Sequence, residues 1–403
     1  MMWEKVKIGD IYEGLYDGPH ATPPTSDDGA IFLGISNITK DGHIDLSDIK
    51  HINENDLPKW TKRVTPKGGD IVFSYEATLN LYAIIPDDFW GCLGRRMALI
   101  RPDETKAHGK YLYYYFFSEE WRSTVSSHII TGATVDRIPI AKFPEFIISL
   151  PPMEKQHKIA NILSNYDDLI VNNKKQIKLL EEAAQRLYKE WFVNLHFPGY
   201  EDVEIVDGVP EGWKYKRVDE FGKVITGKTP STSKSEYYGG SIPFVTIPDM
   251  HGKVFPLVTE KTLTKTGADT QKNKYLPINS VIVSCIATVG LVNIAVEPCQ
   301  TNQQINSVIL YDDSNLYFFY ESMKRIKTLL DGVGSNGATM TNVNKTKFSN
   351  ISVLYPTEDL VKRYNAFCKP IFNKILGLSK GILVSKQARD RLLPKLMSGE
   401  IEV

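Results

Sequence analysis

The chain has 403 residues, 42% of them hydrophobic and 24% charged, with 48 Lys and Arg against 48 Asp and Glu. That length can bury two independent cores, and the hydrophobic fraction excludes a disordered chain. A formal charge of zero excludes a globally basic nucleic-acid binder, so any phosphate-binding surface has to be a local patch.

From the N-terminus, Met1-Met2-Trp3-Glu4-Lys5 lacks the apolar run of a signal peptide, and no later stretch approaches the ~18 apolar residues of a membrane span. Tyr16 to Thr22 is a Gly/Pro loop. The runs Ala30–Ile35, Asp70–Ser74 and Met97–Ile100 read as strands, with Gly94-Arg95-Arg96 just ahead of the last. An aromatic stretch, Tyr111–Phe117, reads as a helix whose rings belong to the core rather than to a base-stacking platform. Cys92, Cys285, Cys299 and Cys368 lie far apart without paired Cys/His spacing, which argues against zinc or a disulfide framework and for core thiols in a reducing cytoplasm.

Two ladders at seven-residue spacing then begin. One is Ile159, Tyr166, Asn173, Leu180 and Leu187; the other is Leu163, Ile170, Ile177, Ala184 and Trp191. This is a coiled-coil seam, with Asn173 as either a register-fixing polar residue or a solvated edge. The charged faces outside it (Lys174-Lys175, Glu181-Glu182, Lys189-Glu190) are expected to meet solvent or another subunit.

The second half repeats the first. Gly132-Ala133-Thr134, Lys142-Phe143 and Pro151 recur as Gly337-Ala338-Thr339, Lys347-Phe348 and Pro356, each 205 positions on, as Gly132 to Gly337 counts. Gly227-Lys228-Thr229-Pro230-Ser231 replaces the first loop; Ile242–Thr246, Ser280–Ser284 and Ser307–Leu310 replace the strands; Leu316–Tyr320 replaces the aromatic stretch. The displaced ladders are Tyr364, Ile371, Leu378, Ser385, Leu392 and Cys368, Ile375, Ile382, Arg389, Leu396. Pro370, Gly377 and Gly381 predict a weaker, kinked second helix. Each helix spans roughly 40 residues, on the order of 60 Å.

The expected fold is therefore α+β, with two pseudo-repeated mixed α/β domains separated by two long antiparallel coiled-coil helices. The bounds are residues 1–150, helix 151–197, residues 198–355 and helix 356–403.

Leu150-Pro151-Pro152-Met153-Glu154-Lys155-Gln156, Ile159-Ala160-Asn161-Ile162-Leu163, Leu180-Glu181-Glu182-Ala183-Ala184-Gln185 and Lys189-Glu190-Trp191-Phe192-Val193 together resemble the central conserved region of type I restriction-modification specificity (S) subunits. Arg391-Leu392-Leu393-Pro394-Lys395-Leu396-Met397-Ser398-Gly399-Glu400-Ile401 resembles their distal conserved region. Gly227–Ser231 with Tyr237–Pro243, and Asp17–Pro23, are similar to the openings of target-recognition domains. The resemblance spans both copies, departing at Pro370, Gly377 and Gly381, and at Pro356-Thr357-Glu358 where the first copy has Pro151-Pro152-Met153.

It implies a non-catalytic DNA-reading subunit in host defence. Each target-recognition domain would read one half of a split target in double-stranded DNA, and the helices would fix the spacer. Two modification subunits would methylate adenine with S-adenosylmethionine, and two restriction subunits would use ATP and magnesium. This chain would hold no cofactor or metal, stay in the cytoplasm and touch no membrane. The sequence agrees by omission of an amino-methylase motif, a phosphate loop and HExxH. The nuclease-like fragments Pro102-Asp103 and Glu104-Thr105-Lys106 collapse into one loop and read as a turn. Competing classes are an enzyme, a coiled-coil protein-interaction scaffold, and the specificity subunit of a fused type II-like system.

Chemistry nominates the DNA-reading residues. Guanine edges call for Arg or Lys, adenine edges for Asn or Gln, while hydroxyls, amides and further cations hold phosphates. Arg95 and Arg96 precede a strand where the second half has Asn302, Gln303 and Gln304; a surface salt bridge and a capping turn are the competing readings. Tyr16, His20 and Thr22 pair with Lys228, Thr229 and Ser231 as loop donors, or both loops are ordinary turns. Thr131-Gly132-Ala133-Thr134 with Arg137, and Asn336-Gly337-Ala338-Thr339 with Thr341, supply small residues that let backbone approach a phosphate, or form a structural turn shared by both copies.

Overall fold

The computed structural model describes residues 3–132, 135–331 and 342–403. The chain forms two compact units, Met1–Leu169 together with Val384–Val403, and Ile170–Leu383.

The strand runs of the first unit assemble into a four-stranded antiparallel sheet, in the order Tyr12–Asp17, Met97–Pro102, Ile71–Ser74, Tyr82–Ile84. Successive side chains of a strand point to opposite faces. Ile71, Phe73, Ala98 and Ile100 accordingly join one core with the aromatic helix Gly109–Tyr115, while Val72, Met97 and Leu99 join another with Leu33 and Leu93. Burial on both faces is why these runs are apolar without alternation. A smaller sheet sets Ala30–Leu33 between Lys50–Ile52, antiparallel, and Gly91–Leu93, parallel. Glu4–Lys7 pairs with Ile147–Leu150, directly ahead of the first long helix.

The second unit repeats this plan. Its four-stranded order is Gly222–Thr226, Ile305–Leu310, Val281–Ser284, Val292–Ile294, and its smaller sheet sets Tyr238–Val245 between Lys261–Leu263 and Gln300–Thr301. Lys214–Arg217 pairs with Ser352–Tyr355 ahead of the second long helix. The aromatic stretch is again a buried helix, Leu316–Lys324, so its rings are core, as are the four free, buried cysteines.

The long helices run Met153–Phe192 and Glu358–Ser398. No ladder residue in either is exposed. In the first unit the pairing is antiparallel, with Asp167 bridged to Arg389 and Lys155 to Glu402. In the second, Trp191 packs edge-on to Tyr364 and Phe367, while Asn173 lies toward Gly381, again antiparallel.

One open point is settled and one expectation needs correction. The second helix is one unbroken element through Pro370, Gly377 and Gly381. Pro370 and Gly377 face outward, and Gly377 has open space where a side chain would go, so the cost of each is local and leaves the buried face intact. The apolar surface is also wider than a two-ladder seam. Tyr188, Phe192 and Phe372, outside the ladders, pack on Phe318, Tyr317 and Tyr320, because each helix also closes the core of a globular part. Glu181, expected to meet solvent or another subunit, is half-buried within this chain, and burial raises its pKa. Among the described residues, no helix is long and apolar enough to cross a membrane.

Because Gly377 sits mid-helix and unencumbered, Gly377→Ala should stabilise the protein by about 0.5–1 kcal/mol in thermal unfolding. Destabilisation would mean that the helix bends there.

Candidate nucleic-acid interface

At one end of each four-stranded sheet, the same three-loop cluster is built twice. In the first unit the Gly18 amide donates to the Met97 carbonyl (2.7 Å), Tyr75 N–H to Arg96 (3.1 Å) and Ile138 N–H to Tyr75 (2.8 Å). In the second, Gly227 donates to Ile305 (3.0 Å), Cys285 to Gln304 (2.9 Å) and Val343 to Cys285 (2.8 Å). Ser74 Oγ accepts from Leu81 N–H at 3.3 Å, and Ser284 Oγ from Leu291 N–H at 2.9 Å.

The two glycines are required by close approach. A Cβ on Gly18 would lie 2.4 Å from the Gly94 carbonyl, and one on Gly227 would lie 2.1 Å from that of Asn302. The intervening loop contains a left-handed alanine in both units, Ala77 (φ 68°) and Ala287 (φ 65°), a backbone conformation uncommon for a residue with a Cβ. The turn before the inner strand is thus held from two sides, and it carries Arg95-Arg96 in one unit and Gln303-Gln304 in the other.

In the first unit, Arg95 is exposed, whereas Arg96 sits in the left-handed region (φ 71°) with Nε 3.7 Å from Glu76. An ion pair that long and partly solvated contributes at most about 1 kcal/mol, so a nucleic-acid acceptor could replace it. His20 and Thr22 are exposed on the neighbouring loop, and His20 Nε2 is 2.9 Å from Asp17. Tyr16 belongs to the strand below and packs half-buried on the core, so it supports the loop. Arg137 is exposed and pairs by backbone with Ile130 and Glu76, beside the turn.

In the second unit, Thr229 Oγ1 donates to Gln303 Oε1 at 2.7 Å, joining the two candidate loops directly. Asn302 Nδ2 donates to Gln304 Oε1 (3.1 Å), and its Oδ1 accepts from the Gln304 amide (3.1 Å), which leaves exposed Gln303 as the outward amide. Lys228 is exposed; its carbonyl accepts from buried Gln271 at 2.7 Å, which fixes the loop from behind. Ser231 is exposed and bonds Ser233. Thr134, Asn336 and Thr341 lie outside the described residues.

A family model described as the type I restriction modification DNA specificity domain matches residues 2–182 and 210–366, one stretch for each copy of this cluster. The chain belongs to this family. It is 30% identical to the type I restriction enzyme HindI specificity subunit of Haemophilus influenzae over 99% of both chains. It is 27% identical to the MjaIX specificity subunit of Methanocaldococcus jannaschii over 88% of this chain and 82% of that one. The S subunit of the type I restriction-modification system of M. genitalium shares the fold, with a TM-score of 0.60 at 14% identity over 98% and 96% of the two chains.

The sequence reading missed several cations of this specificity subunit. In the first unit, Lys59, Trp60, Lys62 and Arg63 close a cavity of about 360 Å³ against Asp17–Ala21. Arg63 bridges the Asp17 carboxylate and donates to the Gly18 carbonyl (3.3 Å), so it is held against the glycine of the loop cluster. The basic run Lys59-Trp60-Thr61-Lys62-Arg63, with one aromatic inside it, was the available signal. In the second unit, burial followed by the charges of Lys345 and Lys228 lowers the Lys274 pKa, so both of those cations lie within electrostatic reach of Lys274. Lys274 and Lys345 come from stretches of the chain apart from the nominated Lys228, and no local pattern announces those two.

Proposed function

We propose that this specificity subunit reads a two-part DNA target, one half through each loop cluster, with a spacer set by the paired helices. It performs no chemistry. Modification subunits carrying S-adenosylmethionine would methylate adenine, and restriction subunits using ATP and magnesium would cut; this chain would recruit both.

The observation that carries the reading is the recurrence of one scaffold with different side chains. Gly18 and Gly227 press against equivalent turns, yet those turns present arginines in one unit and amides in the other. A fixed frame bearing guanine-type donors in one copy and adenine-type amides in the other is what reading two unlike half-sites requires. Arg63 in the first unit, and Lys228, Lys274 and Lys345 in the second, suit phosphates at the rim.

The test is binding of the chain, purified with its modification subunit, to random duplexes across a salt series, followed by sequencing of the bound fraction. Affinity should fall steeply with salt. Arg96→Ala and Gln303→Ala should each cost about 1–3 kcal/mol and relax preference at one base pair, in different half-sites. Arg63→Ala should instead weaken all sequences equally and flatten the salt slope. Salt-independent binding would favour a protein-interaction scaffold, and adenine methylation by the rigorously purified chain alone would overturn the non-catalytic reading.

A further inference from the structure

Within the first unit, the two long helices meet at a buried polar layer. Arg389 is 8% exposed; its Nη1 donates to Asp167 Oδ1 at 2.5 Å, and its Nε and Nη2 donate to Asp390 Oδ1 at 3.0 and 2.8 Å. The other oxygen of Asp167 accepts from the Tyr114 hydroxyl at 2.5 Å. Both oxygens of Asp167 are thus engaged, the circumstance in which a buried ion pair can persist and in which removing one partner is costly.

The 205-residue repeat carries Asp167 to Phe372 and Tyr114 to Phe319, and carries Arg389 back to Ala184. Those three residues are 1%, 0% and 0% exposed and belong to a single apolar core of the second unit. One layer of the duplicated architecture is therefore an ion pair in one copy and hydrocarbon in the other.

This asymmetry bears on a problem that every duplicated helix pair faces. Both helices keep the same heptad phase, so the apolar ladders alone do not tell a first helix to choose a second helix over another first helix. In the same antiparallel register, two first helices would set Asp167 against Ala184, and two second helices would set Arg389 against Phe372. The first arrangement buries Asp167 without its counter-ion, and the second leaves Arg389 with Asp390 of its own helix alone.

We infer that Asp167, Arg389 and Tyr114 form a pairing code that makes the first helix accept a second helix, whether from the same chain or another copy, and reject its own kind. The code specifies a partner by chemistry: a helix that presents a cation at the Arg389 layer. It is independent of the DNA-reading proposal, because a chain that bound no DNA would still carry it.

Two full-length single variants test it, Asp167→Arg and Arg389→Asp. Each alone opposes like charges within its own chain. Mixed, unfolded and refolded together, they can exchange helices so that both layers again join opposite charges. Light scattering and native mass spectrometry should detect a one-to-one heterodimer, at least tenfold more abundant than any dimer of either variant refolded alone. Combining both substitutions in one chain should restore the species formed by the unmodified protein. Folded single variants that give no heterodimer would overturn the inference. If the single variants do not fold, the triple variant Asp167→Phe, Arg389→Ala, Tyr114→Phe decides, since it copies the apolar layer of the second unit. Concentration-dependent self-association after refolding would support the code, and a species identical to the unmodified chain would overturn it.

Discussion

Gly18→Ala should selectively weaken recognition of one half-site and Gly227→Ala recognition of the other, with each variant still reading the half-site it was not built to disturb. The reason is steric and local. The added Cβ would sit 2.4 Å from the Gly94 carbonyl oxygen in the first case, and 2.1 Å from that of Asn302 and 2.4 Å from that of Thr301 in the second. Real Cβ atoms do not approach backbone that closely, and backbone, unlike a side-chain tip, cannot swing aside. The turn carrying Arg95-Arg96 or Gln303-Gln304 must therefore move. Overpacking of this kind costs about 1–3 kcal/mol of stability. Misplacing one bidentate base contact costs about as much again in discrimination, roughly fivefold to 150-fold in preference. Binding to duplexes scrambled in one half-site at a time, with thermal unfolding alongside, checks both. Loss of folding without selective loss of one half-site would mean that the glycines serve the core alone.

Those glycines show where sequence reading stops. The loops Asp17–Pro23 and Gly227–Ser231 could be matched as Gly-containing turns, but neither sequence says that the glycine faces a carbonyl from a turn some 75 residues on, as Gly18 to Gly94 and Gly227 to Asn302 count. The matched left-handed alanines, Ala77 and Ala287, were equally silent, because alanine gives no composition signal for a positive φ. The heptad phase was legible because a seven-residue period is written in the chain itself, and every ladder residue is sheltered. Its second face was not, since Tyr188 and Phe192 reveal a partner only once the helix Leu316–Lys324 is seen beside them. Arg389 is the one charged residue in either ladder. Its meaning lay in Asp167, on the other helix and more than 200 positions away in the chain.

Inserting seven residues into both long helices, after Leu169 and after Leu383, should lengthen the DNA spacer while leaving both half-sites unchanged. These positions divide the compact units, so contacts inside each unit survive. A full heptad keeps the seam facing its partner. At 1.5 Å per residue the addition lengthens each helix by about 10 Å, close to three base pairs at ~3.4 Å each. Affinity for the preferred site should still fall, because three base pairs turn one half-site by roughly a third of a turn relative to the other. Insertion in one helix only should behave differently. The Asp167–Arg389 pair of the first unit and the Trp191–Tyr364 packing of the second could not both keep their register, so one would be sacrificed and stability would drop with the loss of a buried ion pair or an aromatic core. Methylome sequencing of cells carrying the system with each variant reads spacer and half-sites together. A spacer unmoved by the paired insertion, in a folded and active complex, would show that the helices are not the ruler.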